Sequence, residues 1–459
     1  MSSETFDVDL LVVGGGMAGL TAAAYAARHG ARVLVVEKAA EVGGSAAMSG
    51  GGMLRPMTAD DLRAVNPSGD PVFAEMLAGD YDAAIEWIES IGVAVTEANE
   101  AIAAVMGYPT SLRAYDVAAY FPRCVAVVRG AGGIVRCDSE IDDLTTDDDG
   151  RVTGARGHGA AGSFVVNSRW TMLATGGFHN DPQLRSTYLG PHARDMLVRA
   201  NRISDGAGLR LGLAVGGTTN ALMDRFYGHT VPWPLNHEFT RADYVRLYQP
   251  SLTPHGILLD RTGSRFVDES LGYYRNSQLV VQQTDSHALL VGDQRIRDAD
   301  AAGGAPEKTM GYVRLDRIEE AERSGAHVAV APTLDDLDAA VRPWGYSGVR
   351  QAVERFNAEL SHGGPTSPPR QRNRIPLGPG PFFAMEIQSA IVNTWGGLQV
   401  DGQGRVLRAD GSPVAGLVAA GADIGGAYYE GYCGGLSMAG LLALRVGRLV
   451  TGQNPALSS

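Results

Sequence analysis

A chain of 459 residues, 44% hydrophobic and 20% charged, holds enough apolar material for two or three packed units of about 150 residues each. A formal net charge of −12 argues against a nucleic-acid or anionic-membrane partner. The three cysteines, Cys124, Cys137 and Cys433, form no C-x-x-C pair, so neither a disulfide framework nor a cysteine-rich metal site is indicated. The polar start MSSETFDVD resembles no targeting segment and no apolar run reaches a membrane-span length, so a cytoplasmic location is expected.

The chain opens on a complete βαβ pattern. An apolar run at 10–13 reads as a buried strand. Gly14, Gly16 and Gly19 then give G-x-G-x-x-G at the turn into an Ala-rich helix, and a second apolar run, 33–36, ends on Glu37. Glycines at these places let backbone approach a pyrophosphate. The helix N-terminus faces the negative charge, and the acid accepts from ribose hydroxyls. The small-residue stretch 43–52 continues along the pyrophosphate and flavin side of such a ligand. Phe73, Leu77, Tyr81, Ile85 and Ile88 stand at helical spacing and predict one amphipathic helix over 70–92.

Residues 101–122 hold Tyr108, Tyr115, Tyr120 and Phe121, which read as packing or as a substrate-facing wall. A β-meander is predicted over 134–166, turning at DDDG and leading into WTMLATGG at 170–177, where backbone again comes close to a ligand. A second Gly-flanked helix follows at 203–217, capped by Ser204 or Asp205. From Asp224 the texture changes: 225–248 is rich in aromatics and Pro, and 256–277 reads as a hairpin and loop. Two short helices are predicted over 334–362. The Pro-rich basic stretch 363–381 reads as a loop with a solvated Arg cluster. PFFAMEI then begins a strand, and a Gly-rich loop at 424–435 opens a last helix over 437–450.

Together these motifs resemble the fumarate reductase/succinate dehydrogenase flavoprotein superfamily over nearly the whole chain. The matching stretches are VVGGGMAGL…VVEK, VGGSAAMSGGG, LATGGF, SDGAGLRLG, GSRFVDES, PFFAMEI, WGGLQVD and LVAAGADIGG. The resemblance implies an α/β fold: a Rossmann-like FAD-binding domain made of 1–223 and 381–459, with an inserted α+β cap (substrate) domain over 224–380. It implies FAD, held at Gly14, Gly16, Ala18, Gly19, Glu37, Lys38, Gly44, Ser45, Ser49, Gly50, Gly51, Ile141, Ala174, Thr175, Gly176, Asp205, Asp423, Leu436, Ser437 and Met438. Gly44 stands where succinate dehydrogenases carry the flavin-linking histidine, so the FAD is expected to be non-covalent.

Where dicarboxylate reductases of the superfamily carry charge, this chain has Tyr273, Asn393 and Tyr432. A desolvated carboxylate needs a charged or multiply donating partner, so a dicarboxylate substrate is poorly supported. The sequence is similar instead to 3-ketosteroid dehydrogenases. D-E-S-L-G-Y places Tyr273 at that family's base, and Tyr432 falls at its ketone-binding tyrosine. Leu436 stands where the family has a glycine whose N–H shares the ketone oxygen. A third, assisting tyrosine is expected at Tyr120, with Tyr108 and Tyr115 as alternatives.

The implied reaction forms, or in reverse reduces, a C=C bond beside a ketone in an apolar, steroid-like or polycyclic substrate. Tyr432 and an N–H near Leu436 polarise the carbonyl, Tyr273 removes the α-proton, and hydride passes to flavin N5. An ordinary tyrosine, with pKa about 10, is a poor base. Tyr273 therefore requires a lowered pKa or a relay, with Tyr274 or Arg275 at hand. The helix expected from Ser437 would face the reduced flavin. Two alternatives compete: a reductase of an unsaturated acid, which needs a compensating Arg225, Arg246 or Arg275, and a flavoprotein subunit passing electrons to a partner. The electron acceptor is not specified by the sequence.

Overall fold

The opening apolar run becomes the strand Glu4–Val13, and the run that ends before Glu37 becomes Val33–Val36. They pair in parallel, Leu10 opposite Val33 through Val13 opposite Val36. The eight residues so paired are buried, as parallel strands covered on both faces must be. The computed structural model describes residues 4–100, 102–249, 252–303, 305–306, 312–313 and 315–453; Ala101, where the tyrosine-rich stretch begins, lies outside them.

The chain divides into two compact units. The first comprises Met1–Leu184, Ala200–Phe226 and Asn393–Ser459. Its sheet runs in the order Arg405–Leu407, Pro413–Ala419, Gly162–Leu173, Glu4–Val13, Val33–Val36, Ile134–Arg136. The predicted meander is present as Ser139–Thr146, Val152–Gly159 and Gly162–Leu173, paired antiparallel. The Ala-rich helix Met17–Arg28 is buried along most of its length and packs against both Val117–Gly130 and the terminal helix Gly435–Val450. Its small side chains are what allow that close approach.

The single helix expected over 70–92 is two helices, Pro71–Gly79 and Tyr81–Ser90, which meet at Asp80. Asp80 is the C-cap of the first and the N-cap of the second, and its carboxylate accepts a 2.6 Å hydrogen bond from Arg445 Nε. The helix predicted over 203–217 spans Ala207–Ala214. Its N-cap is Gly206, with no side-chain cap, rather than Ser204 or Asp205; Asp205 accepts from the Ala207 N–H at 3.1 Å, and Ser204 Oγ donates to the Thr175 carbonyl at 3.1 Å.

The second unit comprises Arg185–Arg199 and Tyr227–Val392. Its sheet is organised on one long strand, Phe382–Thr394. His287–Asp293 and Val328–Ala331 pair with it antiparallel, and Leu197–Val198 pairs with it in parallel. The sequence reading closed the inserted segment at 380; the strand that follows belongs by its pairing to the second unit through Val392. The segment 185–199 joins the same unit through Leu197 and Val198.

The basic stretch 363–381 is a loop in which Arg372 and Arg374 are exposed, but Arg370 is not solvated. Arg370 is 1% exposed. Its Nη1 donates to the Gly256 carbonyl at 2.8 Å and reaches Glu269 Oε2 at 3.3 Å, and its Nη2 donates to the Pro254 carbonyl at 2.8 Å. Arg265 grips the same carboxylate with Nε at 2.9 Å and Nη2 at 2.6 Å, and the Leu258 N–H donates to it at 3.0 Å. Phe356 lies under both guanidiniums. Two cations and one anion stay dry because each is paired and hydrogen-bonded. The cluster also fixes the loop before Tyr273, since Asn276 Nδ2 donates to the Glu269 carbonyl at 2.9 Å. No helix among the described residues is long and apolar enough to cross a membrane.

Glu269→Ala would leave two arginines buried without their anion. We expect it to cost about 3–5 kcal/mol, read as a lowered midpoint in thermal or urea unfolding.

Candidate functional site

The three motif glycines of the first unit do different things. Gly14 has φ +109°, and a Cβ there would lie 2.2 Å from the Ala174 carbonyl oxygen. A Cβ on Gly19 would lie 1.9 Å from the Gly14 carbonyl oxygen, so that position sets how closely helix meets strand. A Cβ on Gly16 would meet nothing within 4 Å. Gly16 therefore keeps a cradle open rather than relieving a contact within the protein. It is also the N-cap of Met17–Arg28 and offers no side-chain cap, which leaves the positive end of that helix for an anion.

Glu37 is buried and oriented by backbone. The Gly15 N–H donates to Oε2 at 2.6 Å and the Ala39 N–H to Oε1 at 2.7 Å, and each oxygen keeps a lone pair for a ribose hydroxyl. The 43–51 stretch folds back over the same turn: the Gly43 N–H donates to the Gly15 carbonyl at 2.8 Å, and Gly44, with φ +53°, comes close to the Gly16 Cα. Asn201 Nδ2 donates to Ser45 Oγ at 2.5 Å, and Ser49 Oγ accepts from the Gly51 N–H at 3.3 Å. No neighbour lies within 4 Å of a Cβ built on Gly50. Ile141 is buried in its strand, and Ala18, in the helix, and Ala174, just past a strand end, are buried too. These features suit a dinucleotide: an open backbone cradle, an uncapped helix end and a fixed acid.

Three of the expected cofactor contacts make hydrogen bonds or ion pairs within the protein. The Asp423 carboxylate is spent on the loop 175–177. It accepts from the backbone N–H groups of Thr175, Gly176 and Gly177, and from Thr175 Oγ1 at 2.9 Å. Burial pushes its carboxyl above the usual range, against these donors. Asp423 thus shapes the backbone at Thr175 and Gly176 rather than reaching out itself. Lys38 and Asp205 are engaged with each other at 3.2 Å, and Lys38 also pairs with Glu140 at 2.7 Å.

The last helix begins at Gly435, two residues ahead of its expected start, behind an N-cap glycine, Gly434, that carries no side-chain cap. Leu436, Ser437 and Met438 are buried, and Ser437 Oγ donates to the Leu54 carbonyl at 2.7 Å. Tyr432 sits just before this helix. Its hydroxyl oxygen accepts the Gly435 N–H at 2.7 Å, so the backbone donor expected near Leu436 lies at Gly435 and bonds the phenol itself. Trp395 stacks on Tyr432 at 5.8 Å and Tyr428 meets it edge-on at 5.2 Å. A Cβ on Gly435 would lie 3.6 Å from the Tyr432 hydroxyl and 3.7 Å from Asn393 Nδ2, which brings these two polar groups to one spot. Asn393 Oδ1 is buried with no hydrogen-bond partner.

Tyr120 is placed away from this group. It is fully buried, its hydroxyl shares a 2.7 Å hydrogen bond with Thr21 Oγ1, and Trp87 Nε1 donates to it at 3.2 Å. It packs the interior under the Ala-rich helix. Tyr115 is likewise turned inward, to Met17 Sδ at 3.3 Å. Tyr108 is the one of the three whose hydroxyl reaches Tyr432, donating to its backbone carbonyl at 2.8 Å.

In the second unit, Tyr273 opens the helix Tyr273–Val280, after Gly272 with φ +105°. Its hydroxyl lies 3.2 Å from that of Tyr227 and also hydrogen-bonds Tyr248. His229 stacks on its ring at 5.0 Å and 12°. Burial pushes the Tyr273 phenol above its ordinary value, while Tyr227, Tyr248 and Arg199 pull it back. Burial holds His229 well below its usual range, so the imidazole is neutral.

The lowered pKa expected for Tyr273 is thus absent. The predicted relay is also different, because burial raises Tyr274 too and Arg275 Nη1 donates to Gln278 at 2.8 Å. Tyr227, Tyr248 and Arg199 were not singled out from sequence; the aromatic run 225–248 was the signal for the two tyrosines, and Arg199, outside it, had none. Of the three arginines weighed as carboxylate partners, two are engaged by acids: Arg225 with Asp224 at 2.5 Å, and Arg246 with Asp243 at 2.6 Å and Glu320 at 2.7 Å; Arg275 donates to Gln278.

Residues 9–435 match the model of a family described as FAD binding domain. The chain is 26% identical over 470 residues to a fumarate reductase (cytochrome) of Shewanella frigidimarina, an alignment covering 96% of this chain and 76% of the relative. It is 26% identical over 456 residues to a vinyl phenol reductase of Lactiplantibacillus plantarum, covering 91% and 90% respectively. Among solved structures, a 3-ketosteroid-Δ4-(5α)-dehydrogenase from Rhodococcus jostii RHA1 in complex with 4-androstene-3,17-dione superposes with a TM-score of 0.73 at 21% identity, covering 98% of this chain and all of that one. That likeness is one of fold.

The contrast between Gly16 and Gly19 is testable. Gly16→Val is expected to fold with a melting temperature close to the parent's yet to purify without flavin absorbance, because its side chain fills the cradle. Gly19→Val is expected to lower the melting temperature itself, because helix and strand must part.

Proposed function

This chain belongs to the FAD binding domain family, and from that premise we propose that it is an oxidoreductase that removes two hydrogens from a CH–CH unit beside a ketone in an apolar cyclic substrate, or adds them back. The FAD is held without a covalent link, since Gly44 offers no side chain to attach. When bound, FAD supplies the two-electron acceptor. What remains to the protein is to polarise the carbonyl and to take the proton.

Tyr432 does the first. Its oxygen already accepts the Gly435 N–H, and a hydroxyl that accepts one hydrogen bond donates a stronger one. Its proton, directed at a ketone oxygen, stabilises the enolate that forms as the α-proton leaves. Tyr273 does the second. Two neighbouring phenols, Tyr227 and Tyr248, can donate to its oxygen, and the neutral His229 ring covers one face. These donors offset part of the burial that disfavours a phenolate, which is what a phenol needs in order to act as a base.

The observation that carries this reading is that phenol cluster. The superfamily's dicarboxylate reductases hold charge at this position, and here the group is neutral and surrounded by neutral rings. The likeness to a fumarate reductase and a vinyl phenol reductase supports the same site running towards reduction, with the direction set by the electron partner. Arg225 and Arg246, two arginines that could bind a carboxylic acid, already serve Asp224, Asp243 and Glu320.

Anaerobic mixing of the oxidised holoenzyme with saturated cyclic ketones, 3-ketosteroids among them, is expected to bleach the flavin absorbance. Y273F should slow that bleaching by about 10²-fold or more, and Y432F by about 10²–10³-fold. Bleaching by succinate with indifference to every ketone would overturn the proposal.

A further inference from the structure

Among the fully or nearly fully buried arginines of the second unit, Arg199 differs from those that have an acid. Arg265 and Arg370 share Glu269, and Arg317 pairs with Asp300 at 2.9 Å. Arg199 is 2% exposed, and among the described residues no carboxylate pairs with it. Its main-chain N–H donates to the Ile391 carbonyl at 2.8 Å, and one Nη donates to the Tyr244 carbonyl. Its Nε is buried with no hydrogen-bond partner. The guanidinium lies 3.5 Å over the ring of Tyr244 and 5.3 Å from that of Tyr248. Tyr248 in turn lies 4.4 Å from His229 and 5.5 Å from Tyr273.

We infer that Arg199 is a positioning residue for the proposed proton transfer: it holds Tyr248 against Tyr273 and supplies the positive charge that balances a phenolate there. The inference rests on the role proposed for Tyr273. A dry cation without an anion is costly, and burying one is tolerated where a counter-charge forms nearby. Ionised Tyr273 is such a counter-charge. Its oxygen can accept the Tyr227 and Tyr248 hydroxyl protons, and Arg199 stands behind Tyr248.

The other groups around this point do not replace Arg199. His229 is neutral and Tyr274 is a raised phenol. Arg275 and Arg372 act on Tyr274. Arg317 is felt at Tyr248 but is neutralised by Asp300. Asp243, beside Tyr244, is committed to Thr240, His237 and Arg246. In the reaction a lone pair of the Tyr273 phenolate takes the α-proton, the electron pair of the broken C–H bond becomes the C=C of the enolate, and the carbonyl π pair moves to its oxygen; the phenolate is consumed and the cation loses its partner until Tyr273 gives its proton up and ionises again.

The sign follows directly. A nearby cation favours the ionised phenol, so removing it raises the pH at which Tyr273 becomes a base. A fluorotyrosine placed at position 273 brings that ionisation into reach, and fluorine NMR of the holoenzyme without substrate reads its midpoint. R199M is expected to move the midpoint up by about one pH unit. The rising limb of the kcat–pH profile should move the same way and flavin bleaching below it should slow about tenfold, with KM little changed. R199K should restore most of the shift. Y248F, which keeps the ring and removes the donor, should also raise the midpoint, and it serves if R199M does not fold.

Unchanged midpoints in R199M and Y248F, or in Y248F alone where R199M does not fold, with Y273F still blocking bleaching, would overturn the role of Arg199 and leave the reaction standing. A wild-type flavin that no ketone bleaches would overturn the reaction instead, whatever the midpoints do.

Discussion

The structure depends first on one steric contact, that of Gly19 on the carbonyl of Gly14. No side chain fits between them, for even a Cβ would lie 1.9 Å from that oxygen. The helix Met17–Arg28 is therefore pressed onto the end of its strand, and its N-terminus falls beside Gly16, where nothing of the protein fills the space. The Ala174 carbonyl closes the same turn from the neighbouring strand, and the buried carboxylate of Asp423 gathers the N–H groups that follow it. A place for a pyrophosphate is thus a by-product of how strand, helix and loop must pack. Chemistry is added to that scaffold by residues far away in the chain.

The second unit is governed by how it handles charge away from water. Glu269 and its two arginines are a closed set in which every charge has a partner, and the set fixes the loop that delivers Tyr273. A few residues further on, the phenols of Tyr227, Tyr248 and Tyr273 form a neutral cluster beside a cation that has no acid. The same unit thus contains a saturated charge network, suited to stiffness, and an unsaturated one, suited to a change of protonation. Removing water makes both effects larger, because charges interact over longer distances in a low dielectric.

Much of the fold was legible because it is local. The βαβ start, the meander and the terminal helix each follow from a periodic pattern with glycines or turns at its ends, and the FAD-binding family followed from several such motifs in register. What was not legible depends on contacts distant in sequence. Nothing near Asp80 announces that its carboxylate is bound by Arg445. Arg370 looked solvated because its anion is 101 residues away. Asp423 looked like a ligand contact because the backbone donors it serves lie about 250 positions earlier. Tyr120 looked equivalent to Tyr108 until the folded chain turned one to Thr21 and the other to Tyr432. Tyrosine identity alone carries no direction; the partner does.

One short spacing connects the backbone to the chemistry. Gly435 is at once the first residue of a sixteen-residue helix and the donor to a phenol three positions before it. The amide that most helices leave to water or to a capping side chain is here joined to an aromatic hydroxyl. The partial positive charge at that end of the helix is thereby passed through a single hydrogen bond to the oxygen of Tyr432. The turn 432–435 works as a molecular ruler: a chain one residue longer or shorter there would keep both the helix and the phenol, and would disconnect them.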